Sequence, residues 1–225
     1  MSGLWERLLS LLYPQRNLCH ACGTPLVSGE GVLCASCVGT LARAALPLRG
    51  APALLNDTIA FAASAYTYAG TASALVKRLK FNADHTAALP LAERMAALYA
   101  AFAPLRTAEF CVAVPVHPRR LRQRGYNQAQ VLAGAFADMV GVPLLTDALE
   151  RVHHKRSQVG QGREARRQNI CGAFAVSASG REILAGRRVL LVDDVLTTGA
   201  TVEECARVLR EAGAAEVLVL TACRA

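Results

Sequence analysis

The residues best suited to chemistry lie in one string, Arg188–Thr201, which reads RVLLVDDVLTTGAT. Two adjacent carboxylates, Asp193 and Asp194, stand between an apolar run, Val189 to Val192, and a loop of small residues, Thr197-Thr198-Gly199-Ala200-Thr201. The run has the β-branched and Leu-rich character of a strand buried on both faces. Beyond the loop, Val202, Cys205, Ala206, Val208 and Leu209 recur at helical spacing up to Gly213, a suitable terminating glycine. A loop entering a helix presents free N–H groups and the positive end of the helix dipole to an anion. Gly199 and Ala200 allow close approach of the backbone, and the Thr hydroxyls add donors. Carboxylates at a strand's carboxyl end can accept hydrogen bonds from vicinal sugar hydroxyls. Phosphate donors beside sugar acceptors describe a phosphosugar site. The plainer alternative is a βα turn whose Asp pair caps the helix.

A second constellation is Cys19-x2-Cys22 followed by Cys34-x2-Cys37. Four thiolates at this spacing close a tetrahedral Zn²⁺ site with no open position, which makes it structural. Gly23 suits the tight knuckle around the first pair. His20 is a competing ligand, an iron–sulfur cluster is chemically allowed, and four unrelated buried cysteines remain the plain alternative. The third constellation is basic. After the apolar run Cys111–Pro115 come Arg119, Arg120, Arg122 and Arg124, and helical spacing resumes at Asn127. A strand, a basic loop and a helix make a second anion site, with Arg119 and Arg124 the preferred contacts. For most of these arginines taken singly, a solvated helix start explains the charge equally well.

These groups need a scaffold, and the composition supplies one. The 225-residue chain is 53% hydrophobic with mean hydropathy +0.27, enough for a sizeable core. A net charge of +8 suits an anionic ligand, either a polyphosphate or a nucleic acid. Only 5% of residues are aromatic, with no interleaved stacking platform for single strands. Glu6 and Arg7 interrupt the first apolar stretch, so no secretory signal is evident. The uncharged stretch Thr58–Val76 holds too many Ser, Thr and Tyr residues for a membrane span, and the expected location is the cytoplasm, where eight cysteines argue for metal rather than disulfides.

The pattern predicts a short helix over residues 3–12, a linker over 41–56, strands or a hairpin over Ile59–Tyr68, and helices over Thr71–Leu79 and Ala87–Phe102. It further predicts an edge strand at Val142–Leu145 and strands at Phe174–Val176 and Glu216–Leu220. Residues 151–172 are basic and lack an apolar period, and read as a mobile lid or a tether. Alternating strands and helices predict an α/β fold with a mainly parallel sheet and ligands at the strands' carboxyl ends.

The Asp193–Asp194 string resembles the phosphoribosyl pyrophosphate (PRPP) motif of the type I phosphoribosyltransferases. Nearly the whole chain resembles the ComF family of phosphoribosyltransferase-like proteins, through the four cysteines, Lys80-Phe81, VPVHPRRLRQRGYNQ (Val114–Gln128), SQVGQGREARRQN (Ser157–Asn169) and the PRPP string. One departure is Ala165, where the family often carries a Glu before the arginine matching Arg166; here the acid is Glu164. The resemblance implies a four-cysteine zinc module over residues 1–50 and a type I phosphoribosyltransferase domain over 51–225. It assigns ribose binding and catalysis to Asp193 and Asp194, phosphate binding to Val195 and Thr197–Thr201, and further PRPP contacts to Lys80, Arg119, Arg124 and Arg166, with Mg²⁺ accompanying PRPP. It implies a setting in natural competence or the use of imported DNA. Two functions follow: transfer of ribose 5-phosphate to an unknown acceptor, or PRPP sensing by a non-catalytic scaffold that works with single-stranded DNA or DNA-processing proteins.

Overall fold

The structure is a computed structural model and describes residues 18–27, 30–47, 57–152 and 170–225. The expected helix at 3–12, most of the 41–56 linker, and the basic stretch 153–169 with Arg166 lie outside the described residues.

Five parallel strands form the central sheet. In chain order they are β1 (Phe61–Thr67), β2 (Phe110–Ala113), β3 (Leu144–Leu145), β6 (Arg188–Leu196) and β7 (Glu216–Arg224). Their spatial order is β1-β7-β6-β2-β3. The interior strands are apolar on both faces: Val189 to Val192 of β6 and Val217 to Leu220 of β7 are each at most 1% exposed. That is what a sheet covered on both sides requires. On one face Leu190 and Val192 join α2 (Gly70–Phe81), α3 (Leu89–Ala101) and α5 (Gln128–Val140) through Leu75, Met95, Leu132 and Phe136. On the other, Val189 and Leu191 join α7 (Ala200–Glu211) and α6 (Ala178–Leu184) through Cys205, Leu209 and Leu184. A small antiparallel ribbon of β4 (Leu149–Arg151) and β5 (Phe174–Val176) completes that second layer.

The cysteine module is built onto the first layer. Its helix α1 (Ala35–Ala44) buries Cys37 and Leu41 in the same core as α2 and β1. The chain leaving α1 then covers the open edge of β1, with Leu46 N–H donating to Ala65 O at 2.9 Å and Ala45 bridging Tyr66. An exposed parallel edge is thereby removed.

Several expectations are corrected. Ile59–Tyr68 contains one strand, β1 over Phe61–Thr67, paired parallel to β7, not a hairpin. The basic stretch after β2 is helical rather than a loop: α4 spans Pro118–Arg124, because Pro118 presets the first turn and His117 Nδ1 accepts the Arg119 N–H at 3.1 Å. The acidic pair does not follow its strand but lies within it, since β6 runs to Leu196 in unbroken register with β7. Phe174–Val176 pairs only with β4.

Gly180 shows how closely the second layer is fitted. A Cβ there would stand 2.6 Å from the Ala148 carbonyl oxygen and 2.9 Å from its Cα. Neither backbone atom can rotate away. Gly180→Ala is therefore expected to destabilise the fold by roughly 1–3 kcal/mol, read as a lower thermal midpoint with unchanged far-UV circular dichroism.

Candidate functional site

Alternation along β6 sends its two carboxylates to opposite faces. Asp194 is 4% exposed and shares its face with Leu190 and Val192. Asp193, half-buried, looks toward the α7 side, and its Oδ1 accepts the Asp194 N–H at 2.8 Å. Burial first, and the neighbouring Asp194 charge second, push the Asp193 carboxyl up to about 8. Lys80, from the last turn of α2, places Nζ 2.9 Å from Asp194 Oδ2. The ammonium stands off the hydrogen-bonding direction of that oxygen, which is ion-paired yet has no hydrogen bond among the described residues.

The loop after the pair forms as its residue types require. Gly199 takes φ +86°, a left-handed conformation costly for other residues, and so turns the chain into α7. Thr197 is exposed and Thr198 and Thr201 half-buried, while Gly199 and Ala200 are buried. Val195 is half-buried at the end of β6.

The sheet order explains why this end is a crevice. From β6 the chain crosses through α7 to β7 on one side; from β2 it crosses through α5 to β3 on the other. The connections diverge between β6 and β2, which is the topological switch point where open α/β sheets bind ligands. Val114 N–H still donates to Val192 O at 2.9 Å, so the acidic pair and the β2 loop leave the sheet side by side. Asn127 fixes that loop: its Nδ2 donates to Val114 O and its Oδ1 caps α5 at Ala129 N–H.

Lys80 and Arg124 line one cleft of about 950 Å³, together with Lys77, Phe81, Arg120 and Tyr126. Arg119, two residues into α4, is exposed and does not line it. Lys77 and Phe81 are not among the site residues read from the sequence, and Arg120 stands in the basic constellation without being a preferred contact. A signal for the first two was present: Lys77, Lys80 and Phe81 are spaced i, i+3, i+4 and share one face of α2.

The Sγ atoms of Cys19, Cys22, Cys34 and Cys37 all lie within 4.8 Å of one another, with Cys22 and Cys34 at 3.7 Å. Metal–sulfur bonds of about 2.3 Å to a tetrahedral ion demand sulfurs of nearly this spacing, so the donor set fits a metal ion. The first knuckle is tight, Gly23 N–H donating to Cys19 O at 2.8 Å with Gly23 at φ +75°. The Thr24 hydroxyl beside Cys22 lowers that thiol to about 6, whereas burial raises Cys37 to about 12. His20 turns away from the cluster: its Nδ1 meets Asp84 Oδ2 at 2.7 Å and Thr86 Oγ1 at 2.9 Å.

The Asp193 environment has a measurable consequence. Its native pKa lies above the ordinary value of 3.8, so between about 4 and about 8 the native chain holds a proton that the unfolded chain has lost. Stability contributed by this group therefore falls as pH rises through that window. Asp193→Asn is expected to melt with the wild type near pH 4 and at a higher temperature near pH 8.5. A gap that does not change with pH would show that the carboxyl is not held protonated.

Comparison with known proteins agrees with this geometry. Residues 126–225 match the phosphoribosyl transferase domain family. Competence protein F of Haemophilus influenzae is 39% identical over 121 residues, covering 54% of this chain and 52% of that protein, so the match spans about half its length. DNA utilization protein YhgH of Salmonella typhi is 33% identical over 162 residues, 70% of this chain and 69% of that protein. A solved structure described as the allosteric regulatory enzyme of purine biosynthesis is 25% identical, with a TM-score of 0.40, over 61% of this chain and 26% of that one. The parallel sheet, the four-cysteine cluster, the matched domain family and the competence and DNA-utilization relatives together mean that the chain belongs to the ComF family, with a type I phosphoribosyltransferase fold at its core.

Proposed function

We propose that this protein binds PRPP with Mg²⁺ in the crevice between β6 and β2 and transfers ribose 5-phosphate from it. The observation that carries the reading is the acidic pair at the switch point, one residue run away from a Gly-initiated helix. The 5-phosphate sits on the Thr197–Thr201 amides and hydroxyls at the α7 N-terminus. Asp193 and Asp194 hold the ribose 2′ and 3′ hydroxyls. Arg124 and Lys80 face the pyrophosphate, and Arg119, which stands outside their cleft, and Arg166 are assigned to the same anion by the family resemblance. Mg²⁺ bound together with PRPP would supply charge neutralisation to the pyrophosphate that Lys80 and Arg124 face. In the transfer, the bond from C1 to pyrophosphate breaks as the acceptor's nucleophile bonds to C1. The acidic pair, once the Asp193 proton has left to solvent, stabilises positive charge developing on the ribose.

Lys80 has two parts in this scheme. It compensates Asp194 before the ligand arrives and stands beside the pyrophosphate afterwards. We place the activity in the handling of imported DNA, because relatives carry competence and DNA-utilization names. The same names favour the second reading, a PRPP-sensing partner of DNA-processing proteins or single-stranded DNA that performs no transfer. No helix among the described residues is long and apolar enough to cross a membrane, and we place the protein in the cytoplasm.

PRPP with Mg²⁺ at a hundred times its Kd is expected to stabilise the native chain by about 2.7 kcal/mol, a rise of roughly 5–10 °C in Tm. Asp193→Ala and Asp194→Ala each remove most of that rise. Pyrophosphate release with candidate acceptors present separates transfer from sensing. An unaltered shift in both single variants would remove the acidic pair from ribose binding.

We assign the four-cysteine site to zinc. Elemental analysis of protein purified under reducing conditions is expected to give one zinc per chain, and Cys22→Ser to lose the ion and solubility. Iron with visible charge-transfer bands would replace this assignment by an iron–sulfur cluster.

A further inference from the structure

The cleft beside the acidic pair is larger than a pyrophosphate and carries features that phosphate binding alone does not need. Phe81 is 72% exposed at its wall, an unusual place for a phenylalanine. One face of its ring is covered by the Arg124 guanidinium, 5.1 Å from the centroid. Arg124 is itself held by Gln128, Nη1 donating to Oε1 at 2.9 Å. The ring is thus braced from one side and open on the other. Such a braced, exposed ring is a platform for a flat π-system.

Lys77 and Arg120 line the same cleft, both exposed and with no carboxylate partner among the described residues. Among the described residues no acidic side chain lines it. The neighbouring tyrosine is engaged elsewhere: Tyr126 donates its hydroxyl to Leu79 O and meets the His85 ring edge-on. The cleft therefore offers one stacking surface and one cluster of uncompensated positive charge. The backbone beside the platform is also held in an uncommon shape, Ala83 lying at φ +52°.

We propose that this cleft binds a nucleoside monophosphate, with its base on the open face of Phe81 and its phosphate between Lys77 and Arg120. A single platform accommodates one base, whereas a strand needs a row of them. The site adjoins the phosphosugar crevice, with Lys80 and Arg124 on their common wall, and does not depend on PRPP being the ligand there.

The test is calorimetric titration of the full-length protein with dAMP, repeated with a twelve-residue oligothymidylate. Phe81→Ala is expected to weaken dAMP binding about tenfold, and Lys77→Ala with Arg120→Ala by at least as much. Both keep the PRPP-induced thermal shift. Asp193→Ala, which leaves the Lys80–Asp194 ion pair in place, keeps dAMP affinity within about twofold of wild type while removing most of the PRPP shift, so failure of either site is read separately. Absence of dAMP binding at millimolar concentration overturns the proposal. So does loss of dAMP binding in Asp193→Ala with retention in Phe81→Ala, which would mean the nucleotide merely occupies the phosphosugar crevice. An oligothymidylate affinity far above that of dTMP titrated alongside, and falling steeply with salt only for the strand, would overturn it in favour of a strand-binding track.

Discussion

Two adjacent carboxylates near the end of a buried central strand are the constraint around which the molecule is arranged. Desolvation opposes charge on both, and each opposes charge on the other. The fold resolves this unequally. Asp194 receives an ammonium from Lys80 at 2.9 Å, while Asp193 keeps its proton. Such an arrangement costs stability in the free protein and is the kind of local conflict that persists where a ligand is bound. It also gives α2 a task beyond packing, because that helix must end where its last turn delivers Lys80 to β6.

From that requirement the rest follows in layers. α2 reaches β6 because Leu75, Val76 and Leu79 bury its inner face in the first core, leaving Lys77, Lys80 and Phe81 on the opposite side toward the cleft. β2 pairs with β6 over Phe110–Ala113, so the basic helix α4 starts beside the acidic pair. Asn127 then ties the exit of α4 back to the strand end. Opposite charges are brought to one crevice by strand register and helix packing, with few direct bonds between them.

The cysteine module is coupled to the same helix. His20, inside the first Cys pair, bonds Asp84 just beyond α2, and Arg78 of α2 stands 3.8 Å from the same carboxylate. Metal binding at the thiolates would organise the knuckle that presents His20. The module thereby braces α2 on the side away from the site and covers the edge of β1. The four-cysteine cluster is connected to the acidic pair through the position of α2.

The sequence by itself determined the strand–acids–loop–helix unit, the paired cysteines, and the alternation that makes an α/β sheet with both faces covered. Each is a local pattern whose spacing carries its own physics: an apolar run for a buried strand, a Gly-initiated helix for an anion, C-x2-C pairs for a tetrahedral ion. It also pointed to Lys80, Arg119 and Arg124. It could not decide that β6 continues through the acids, because strand length was set by pairing with β7 over Asp193–Leu196, a contact distant in sequence. Nor could it decide the fate of His20, whose choice between sulfur neighbours and Asp84 depends on a carboxylate 64 residues away. The cleft belongs to the same class. Lys77 and Phe81 come from one helix and Arg120 and Arg124 from another, and only packing across β2 and β6 brings the two together, since side chains far apart in sequence meet through the sheet that separates them.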